Sequence, residues 1–407
     1  MVQEHIIFFG GEKEIVSLKH CLSGFEKETT GYVITDHSDR WRIYRSVDAK
    51  DKFVDIIRGF DKKKYQAVVM NSKNMNEVTR FLKNNGLEYE ILIFEEWISS
   101  IIRNKHIKLH PKKIGIDAST YCQLNCVGCY MRVKNYDGVG KGMLSYENYK
   151  KVIDGCNFIK EVGFANNGEA LLNPELPKIL RYSYERGIET DFGGGVNFNT
   201  VSEELMDALV NYHVSNINIA IDGASDKVYS QYRRNGNYEK VLENIRKINH
   251  LKKTYGTDKP KLTWQYVLMK DNEKDIEKAR QKALELDMKI VWKLDWGGTY
   301  VPQNPEWVKR ITGLEEFNRN EGNYNWGNRC RELVFYPKIN WDGMLLGCCS
   351  SHSMSFGINV FETGIERAVN ETKYRKTIED VFGRKQPEKD VPCGNCWIYN
   401  DKIITDK

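Results

Sequence analysis

The stretch Ile116–Arg132, IDASTYCQLNCVGCYMR, follows an apolar strand-like segment and carries Cys122, Cys126 and Cys129 in a CxxxCxxC spacing. A four-iron cluster normally takes four thiolates, so a compact loop offering three leaves one coordination position for something other than protein. A substrate or cofactor is the best reading of that something. A zinc knuckle is the alternative, but structural zinc wants a fourth Cys or His close by. None follows before Cys156, which falls in a helical pattern.

Ile114–Ser119 is the first of six strand candidates separated by helix-length segments. The others are Glu161–Ala165, Glu189–Phe192, Asn216–Asp222, Leu262–Met269 and Lys289–Leu294. Ile276, Ala279, Ala283 and Leu286 show the three-and-four spacing of one intervening helix. Six strand–helix units in register predict a parallel sheet curled into a partial TIM-like (β/α)6 barrel over residues 111–299. In such folds catalytic groups gather at the C-terminal ends of strands, and the cysteine loop lies just past the end of the first.

Residues 1–102 alternate short apolar runs with helical patterns. His5–Phe9, Tyr32–Thr35, Ala67–Met70 and Glu90–Phe94 read as buried strands, and Met75–Asn85 as a helix closed by Gly86. The expectation is a Rossmann-like α/β domain. Gly10, Gly11 and Asp36 stand where a dinucleotide fingerprint would lie, but the full GxGxxG is absent. A docking or sugar-nucleotide-related role is favoured over an NAD site, with a purely structural addition as the alternative. Arg103–Lys113, basic and carrying a proline, reads as a linker to the barrel.

From residue 300 to 407 the pattern breaks into turns and short strands. Val334–Trp341 and Met344–Leu346 flank Asp342-Gly343, a dipeptide that favours a tight hairpin. Cys330, Cys348 and Cys349 lie around it, and Cys393 and Cys396 form a later CxxC. Two pairs of thiolates on an irregular domain predict a closed metal site, either a second cluster or zinc.

The 407 residues exceed one ordinary core. With 61 basic and 56 acidic residues, the net charge of +5 is too small and dispersed to argue for nucleic acid or an anionic membrane. No apolar stretch approaches the ~20 residues of a membrane span, and the start MVQEHIIFFGGEKE lacks the features of a secretory signal. A cytoplasmic protein is expected, where clustered cysteines bind metal rather than form disulfides.

The run from Cys122 to Cys129 resembles the signature of radical S-adenosylmethionine (SAM) enzymes. The resemblance implies a SAM-binding [4Fe-4S] cluster, with the cofactor's methionyl end on the open iron, and cleavage to a 5′-deoxyadenosyl radical that takes a hydrogen atom from an unreactive C–H. Asn167, Gly168, Glu169 and Ala170 (NGEA) resemble the family's GGEP element, which implies a hold on the methionyl amino group. Asp222 and Gly223 end the fourth strand where the family places polar groups near the ribose. Arg233, in SQYRRNGNYEKV, resembles the arginine that pairs with the methionyl carboxylate. The family usually has an aromatic before the third cysteine; here Gly128 stands there, and Tyr130 is the candidate to replace it at the adenine.

Cys330, Gly343, Cys348, Cys393 and Cys396 resemble the twitch form of the SPASM extension, which implies one auxiliary [4Fe-4S] cluster, with zinc as the alternative. Members with this layout include 2-deoxy-scyllo-inosamine dehydrogenase. The run Trp264–Met288 resembles radical enzymes of carbohydrate and polysaccharide biosynthesis. These likenesses imply a small carbohydrate-like or aminocyclitol substrate that is oxidised or epimerised, and a flavodoxin- or ferredoxin-type reductant. Cys349 is a candidate hydrogen donor, with an alternative ligand or a buried small hydrophobe as its plainer readings. His352 is a candidate base or a structural histidine; Cys21 and Cys156 read as packing residues. Two rival readings are a radical SAM modifier of ribosomal peptides or sulfatases, and a non-catalytic zinc-stabilised scaffold.

Overall fold

The four strand runs expected in the first hundred residues pair into one sheet, joined by a fifth strand at Trp41–Tyr44, in a computed structural model that describes residues 5–23, 29–35, 41–44, 65–71, 74–84, 90–103, 107–133, 138–295, 298–317 and 327–403. The elements are β1 (His5–Gly11), α1 (Glu12–Cys21), β2 (Thr29–Thr35), β3 (Trp41–Tyr44), β4 (Tyr65–Val69), α2 (Met75–Asn84), β5 (Glu90–Ile93) and α3 (Phe94–Ile101). The sheet order is β3-β2-β1-β4-β5, parallel except for the β2–β3 pair. Gly86 and Asp36 lie outside the described residues. At the first turn, Gly11 N–H donates to Glu14 Oε2 at 3.1 Å, so a carboxylate occupies the helix end where a pyrophosphate would approach.

Contacts divide the chain into two compact units. The first combines residues 1–112 with Cys330–Tyr336 and Glu366–Lys407. Its core explains why Phe94 opens a helix rather than ending a strand. The Phe94 ring meets Trp97, Phe335 and Phe382 at centroid distances of 6.2, 5.5 and 6.1 Å, while Trp97 meets Phe8 edge-on at 5.0 Å. Val334 and Phe335, expected in a strand, belong instead to the short helix Glu332–Phe335. A short apolar run does not distinguish strand from helix by itself, and packing of Phe335 on Phe94 decides it.

The second unit, Lys113–Arg329 with Pro337–Ile365, holds the larger sheet. Its elements are β6 (Lys113–Ile116), α4 (Tyr130–Val133), α5 (Tyr146–Asp154), β7 (Glu161–Gly163), α6 (Leu176–Glu185), β8 (Glu189–Val196), α7 (Glu203–Asn211), β9 (Asn216–Ala220), α8 (Asp226–Tyr232), α9 (Tyr238–Thr254), β10 (Lys261–Leu268), α10 (Ile276–Glu285), β11 (Lys289–Leu294), β12 (Lys338–Ile339) and β13 (Leu345–Gly347). The strand order is β11-β10-β9-β8-β7-β6-β12-β13. The first six are parallel and sequential neighbours, the α/β arrangement of a partial TIM-like barrel. The hairpin β12–β13, turning at Asp342-Gly343, adds to the β6 edge.

Register gives the sheet two chemically different faces. Phe192, Ile217, Ile219, Trp264 and Tyr266 are buried on one. On the other, Asp191, Asn216, Asn218, Thr263, Gln265 and Lys293 are tied into pairs. Lys113 Nζ meets Asp191 Oδ2 at 2.6 Å, Asn218 Nδ2 donates to the Gly193 carbonyl at 2.6 Å, Thr263 Oγ1 to Asn216 Oδ1 at 3.0 Å and Lys293 Nζ to Gln265 Oε1 at 2.5 Å. Among the described residues no helix is long and apolar enough to cross a membrane.

Candidate radical SAM site

The cysteine loop leaves β6 and is held from outside. Asn125 N–H donates to the Arg234 carbonyl at 2.9 Å and Val127 N–H to the Tyr232 carbonyl at 3.0 Å. These bonds fasten the loop to the end of α8, which brings Arg233 beside it. Arg233 Nη1 lies 3.6 Å from Cys126 Sγ. Gly128 has a φ of +76°, the left-handed region that β-carbon-bearing residues resist. Backbone conformation, rather than space, therefore accounts for a glycine where an aromatic is usual.

Burial pushes the Cys122 thiol up to about 11 and raises Cys126 too, the Arg233 guanidinium opposing the second shift. Thiols held in this neutral form, Cys122 and Cys126, take up negative charge when a cation is there to receive it. Among the described residues no three His, Cys, Asp or Glu side chains converge as a single metal ion requires. Three thiols on one loop, with a guanidinium behind one of them, fit a cluster taking three protein ligands.

The NGEA element closes on the same loop. Gly168, with φ +67°, passes so near the chain that a β-carbon would lie 2.4 Å from the Ser119 carbonyl oxygen and 2.5 Å from Thr120 Cα. Glu169 N–H donates to the Tyr121 carbonyl at 2.7 Å, and its buried carboxylate accepts from Asn197 N–H at 2.6 Å and Leu171 N–H at 3.3 Å. Burial outweighs those bonds and lifts its pKa to about 7. A buried acid whose pKa is raised suits a cationic ligand such as an ammonium, which would favour the carboxylate. On the same loop Asn166 Nδ2 is buried with no hydrogen-bond partner, a donor available to an acceptor group of a ligand.

Asp222 and Arg233 form a closed pair. Asp222, fully buried with φ +59°, accepts from Val267 N–H at 2.6 Å and from Arg233 Nε at 2.6 Å, and a second guanidinium nitrogen contacts the same carboxylate. Burial disfavours the Arg233 charge, but Asp222 and Cys126 overcome it and keep the guanidinium firmly protonated. Both residues are thus engaged with protein, and their geometry positions the cysteine loop.

Sequence reasoning passed over Asp117, Asn197 and most of the role of Asn167. Asp117, just past β6, accepts from Asn167 N–H at 2.8 Å and Asn167 Nδ2 at 2.6 Å. Burial lifts its pKa to about 6 against those bonds. Asn167 Oδ1 accepts from the Tyr130 hydroxyl and lies 3.2 Å from His352 Nδ1. Tyr130 stacks on His352 with centroids 3.8 Å apart. Asn197 Nδ2 lies 3.8 Å from Cys122 Sγ. A lone acid ending the strand before a cysteine loop was the signal for Asp117; nothing local marks Asn197.

The other cysteines divide between the units. Cys330, Cys393 and Cys396 belong to the first, where burial, then the neighbouring Cys330 and Cys396, raise the Cys393 thiol well above its usual value. Cys348 and Cys349 belong to the second, where Arg329 Nη1 donates to Cys349 Sγ at 3.1 Å. Cys21 is buried in α1, and Cys156 Sγ contacts the Val152 carbonyl at 3.5 Å.

Residues 116–283 match the model of the Radical SAM superfamily. Among solved structures, Streptococcus suis SuiB bound to precursor peptide SuiA is similar at 13% identity and TM-score 0.53, covering 74% of this chain and 72% of that one. SuiB bound to S-adenosylmethionine gives 13% identity and TM-score 0.52, over 74% and 71%. BtrN in complex with AdoMet and 2-DOIA gives 16% identity and TM-score 0.42, over 70% and 92%. The chain matches no curated protein. The family match falls on the segment that carries the cysteine loop, the NGEA element, Asp222 and Arg233, so residues 116–283 are a radical SAM superfamily domain.

Proposed function

We propose that this radical SAM enzyme abstracts hydrogen from a carbohydrate-like or aminocyclitol substrate and oxidises an alcohol carbon. The polar sheet face carries this reading. Toward the C-terminal ends of β10 and β11, where the cysteine loop also lies, Gln265 and Lys293 present polar groups on that face, suited to a polyhydroxylated molecule and poorly suited to an apolar one.

When bound, the cluster and SAM supply the electron and the 5′-deoxyadenosyl radical that attacks the C–H bond. Cys122, Cys126 and Cys129 would hold the cluster, and Glu169 with the NGEA backbone the methionyl ammonium. Arg233 holds the loop against Asp222 and adds positive charge beside Cys126. An auxiliary [4Fe-4S] cluster on the later cysteines would be the candidate acceptor for the second electron of an alcohol oxidation. Cys349 accepts a hydrogen bond from Arg329, which favours dehydrogenation over return of a hydrogen atom by that sulfur. A flavodoxin- or ferredoxin-type protein is the proposed reductant.

Anaerobic reconstitution with labelled sugars and aminocyclitols tests this reading. Deuterium transfer into 5′-deoxyadenosine with a ketone product supports it. Transfer from a peptide replaces the substrate class, and a zinc-loaded protein giving no nucleoside ends the proposal.

A further inference from the structure

We propose that His352 presents its Nε2 as a hydrogen-bond acceptor to a hydroxyl of the substrate, an inference that rests on the polyol reading above. Asp117 sets the chain of contacts. Its two carboxylate oxygens take the Asn167 backbone N–H at 2.8 Å and the Asn167 Nδ2 at 2.6 Å. That fixes which end of the Asn167 amide is nitrogen, because a carboxylate pulls the NH2 group toward itself. The Oδ1 therefore faces Tyr130 and His352, and an amide oxygen only accepts.

His352 Nδ1 sits 3.2 Å from that oxygen, so Nδ1 carries the hydrogen. A neutral imidazole protonated at Nδ1 has its lone pair at Nε2. Stacking on Tyr130, at 3.8 Å between centroids and 26° between planes, fixes the ring's orientation. Burial, helped by the nearby Arg329 charge, lowers the ring's pKa to about 4 and keeps it neutral. Nε2 has no hydrogen-bond partner among the described residues, and it is not among the buried unsatisfied atoms. The chain Asp117–Asn167–His352 thus orients one open acceptor, and the stacked Tyr130 directly follows Cys129. A hydroxyl is the donor this site fits on a carbohydrate or aminocyclitol.

Two measurements on the full chain test the proposal. In 15N-labelled protein without ligand, long-range nitrogen–proton correlation should show His352 protonated at Nδ1 and bare at Nε2; the reverse tautomer overturns it. In the reconstituted enzyme, His352→Asn keeps a donor for Asn167 but removes the outer acceptor, whereas His352→Gln can offer an oxygen near the Nε2 position. With 2-deoxy-scyllo-inosamine as probe, His352→Asn should weaken binding about tenfold and His352→Gln should recover part of the loss. Unchanged binding in His352→Asn, or an equal loss of SAM affinity, overturns the assignment. Wild-type enzyme that makes no deoxyadenosine would instead sink the functional reading, leaving the tautomer result to stand on its own.

Discussion

The two cysteine regions are built in opposite ways. Cys122, Cys126 and Cys129 share one eight-residue loop whose backing, from Asp222, Arg233, Glu169 and Asn197, all comes from the same compact unit. The second group is spread from Cys330 to Cys396, with Cys330, Cys393 and Cys396 in one unit and Cys348 and Cys349 in the other. A loop-borne triad is set by short-range geometry and survives in spacing alone. A dispersed set depends on long-range folding, and its spacing says little about which sulfurs act together.

The largest effect should come from testing that independence. Cys126→Ser should abolish 5′-deoxyadenosine formation and remove about four irons per chain, while Cys393→Ser should remove iron yet leave SAM cleavage measurable. Iron and sulfide analysis with nucleoside quantification checks both. Loss of cleavage in Cys393→Ser would mean that the regions are coupled, breaking the contrast.

Next in size is Arg233, the support that distinguishes the first region. Arg233→Met leaves the fully buried Asp222 without its guanidinium, and removing one partner of a buried pair costs about 3–5 kcal/mol. Urea unfolding of the full chain measures it. Arg233→Lys keeps the charge but not the two-pronged contact, so it should fall between wild type and Arg233→Met.

Much of this region was legible in sequence because its signals are local. All six barrel strands lie where apolar runs alternate with helical spacing, and β11 spans the expected residues Lys289–Leu294. The cysteine loop, NGEA and Arg233 fall within one unit as their order along the strands implied. What stayed hidden is non-local. Asp117 and Asn167 are fifty residues apart and Tyr130 and His352 are joined by stacking, which no periodicity encodes. Val334 and Phe335 form a helix rather than the expected strand, and the Phe335 ring packs on Phe94, far away in sequence.

Glu169 makes the first region sensitive to pH. Its folded pKa near 7 stands above the ordinary value of 4.5, so the folded state binds the proton more tightly than the unfolded state. Its stabilising contribution is complete below about pH 4.5 and is lost as pH rises through 7; a shift of that size is worth about 3 kcal/mol. Asp117 acts in the same direction, with its loss ending near pH 6. In the cluster-free protein, urea midpoints should therefore fall between pH 5 and pH 8, and Glu169→Gln should flatten the part between pH 6 and pH 7. A midpoint that rises across this range would refute the assignment of a raised acid.

The smallest effect concerns the two glycines that shape the first region, and it separates conformation from space. Gly128 and Gly168 both have positive φ, but a β-carbon at Gly128 meets nothing within 4 Å, whereas at Gly168 it strikes the backbone of Ser119 and Thr120. Gly128→Ala should therefore cost only the left-handed strain of an L-residue, about 1–2 kcal/mol, with iron still bound. Gly168→Ala must also push the NGEA element off the start of the cysteine loop, so its loss of stability should be clearly larger. Iron content and unfolding midpoints of the two variants decide the matter. Equal effects would mean that the cysteine loop is shaped by its own backbone alone, and that the close approach of NGEA contributes nothing to holding it.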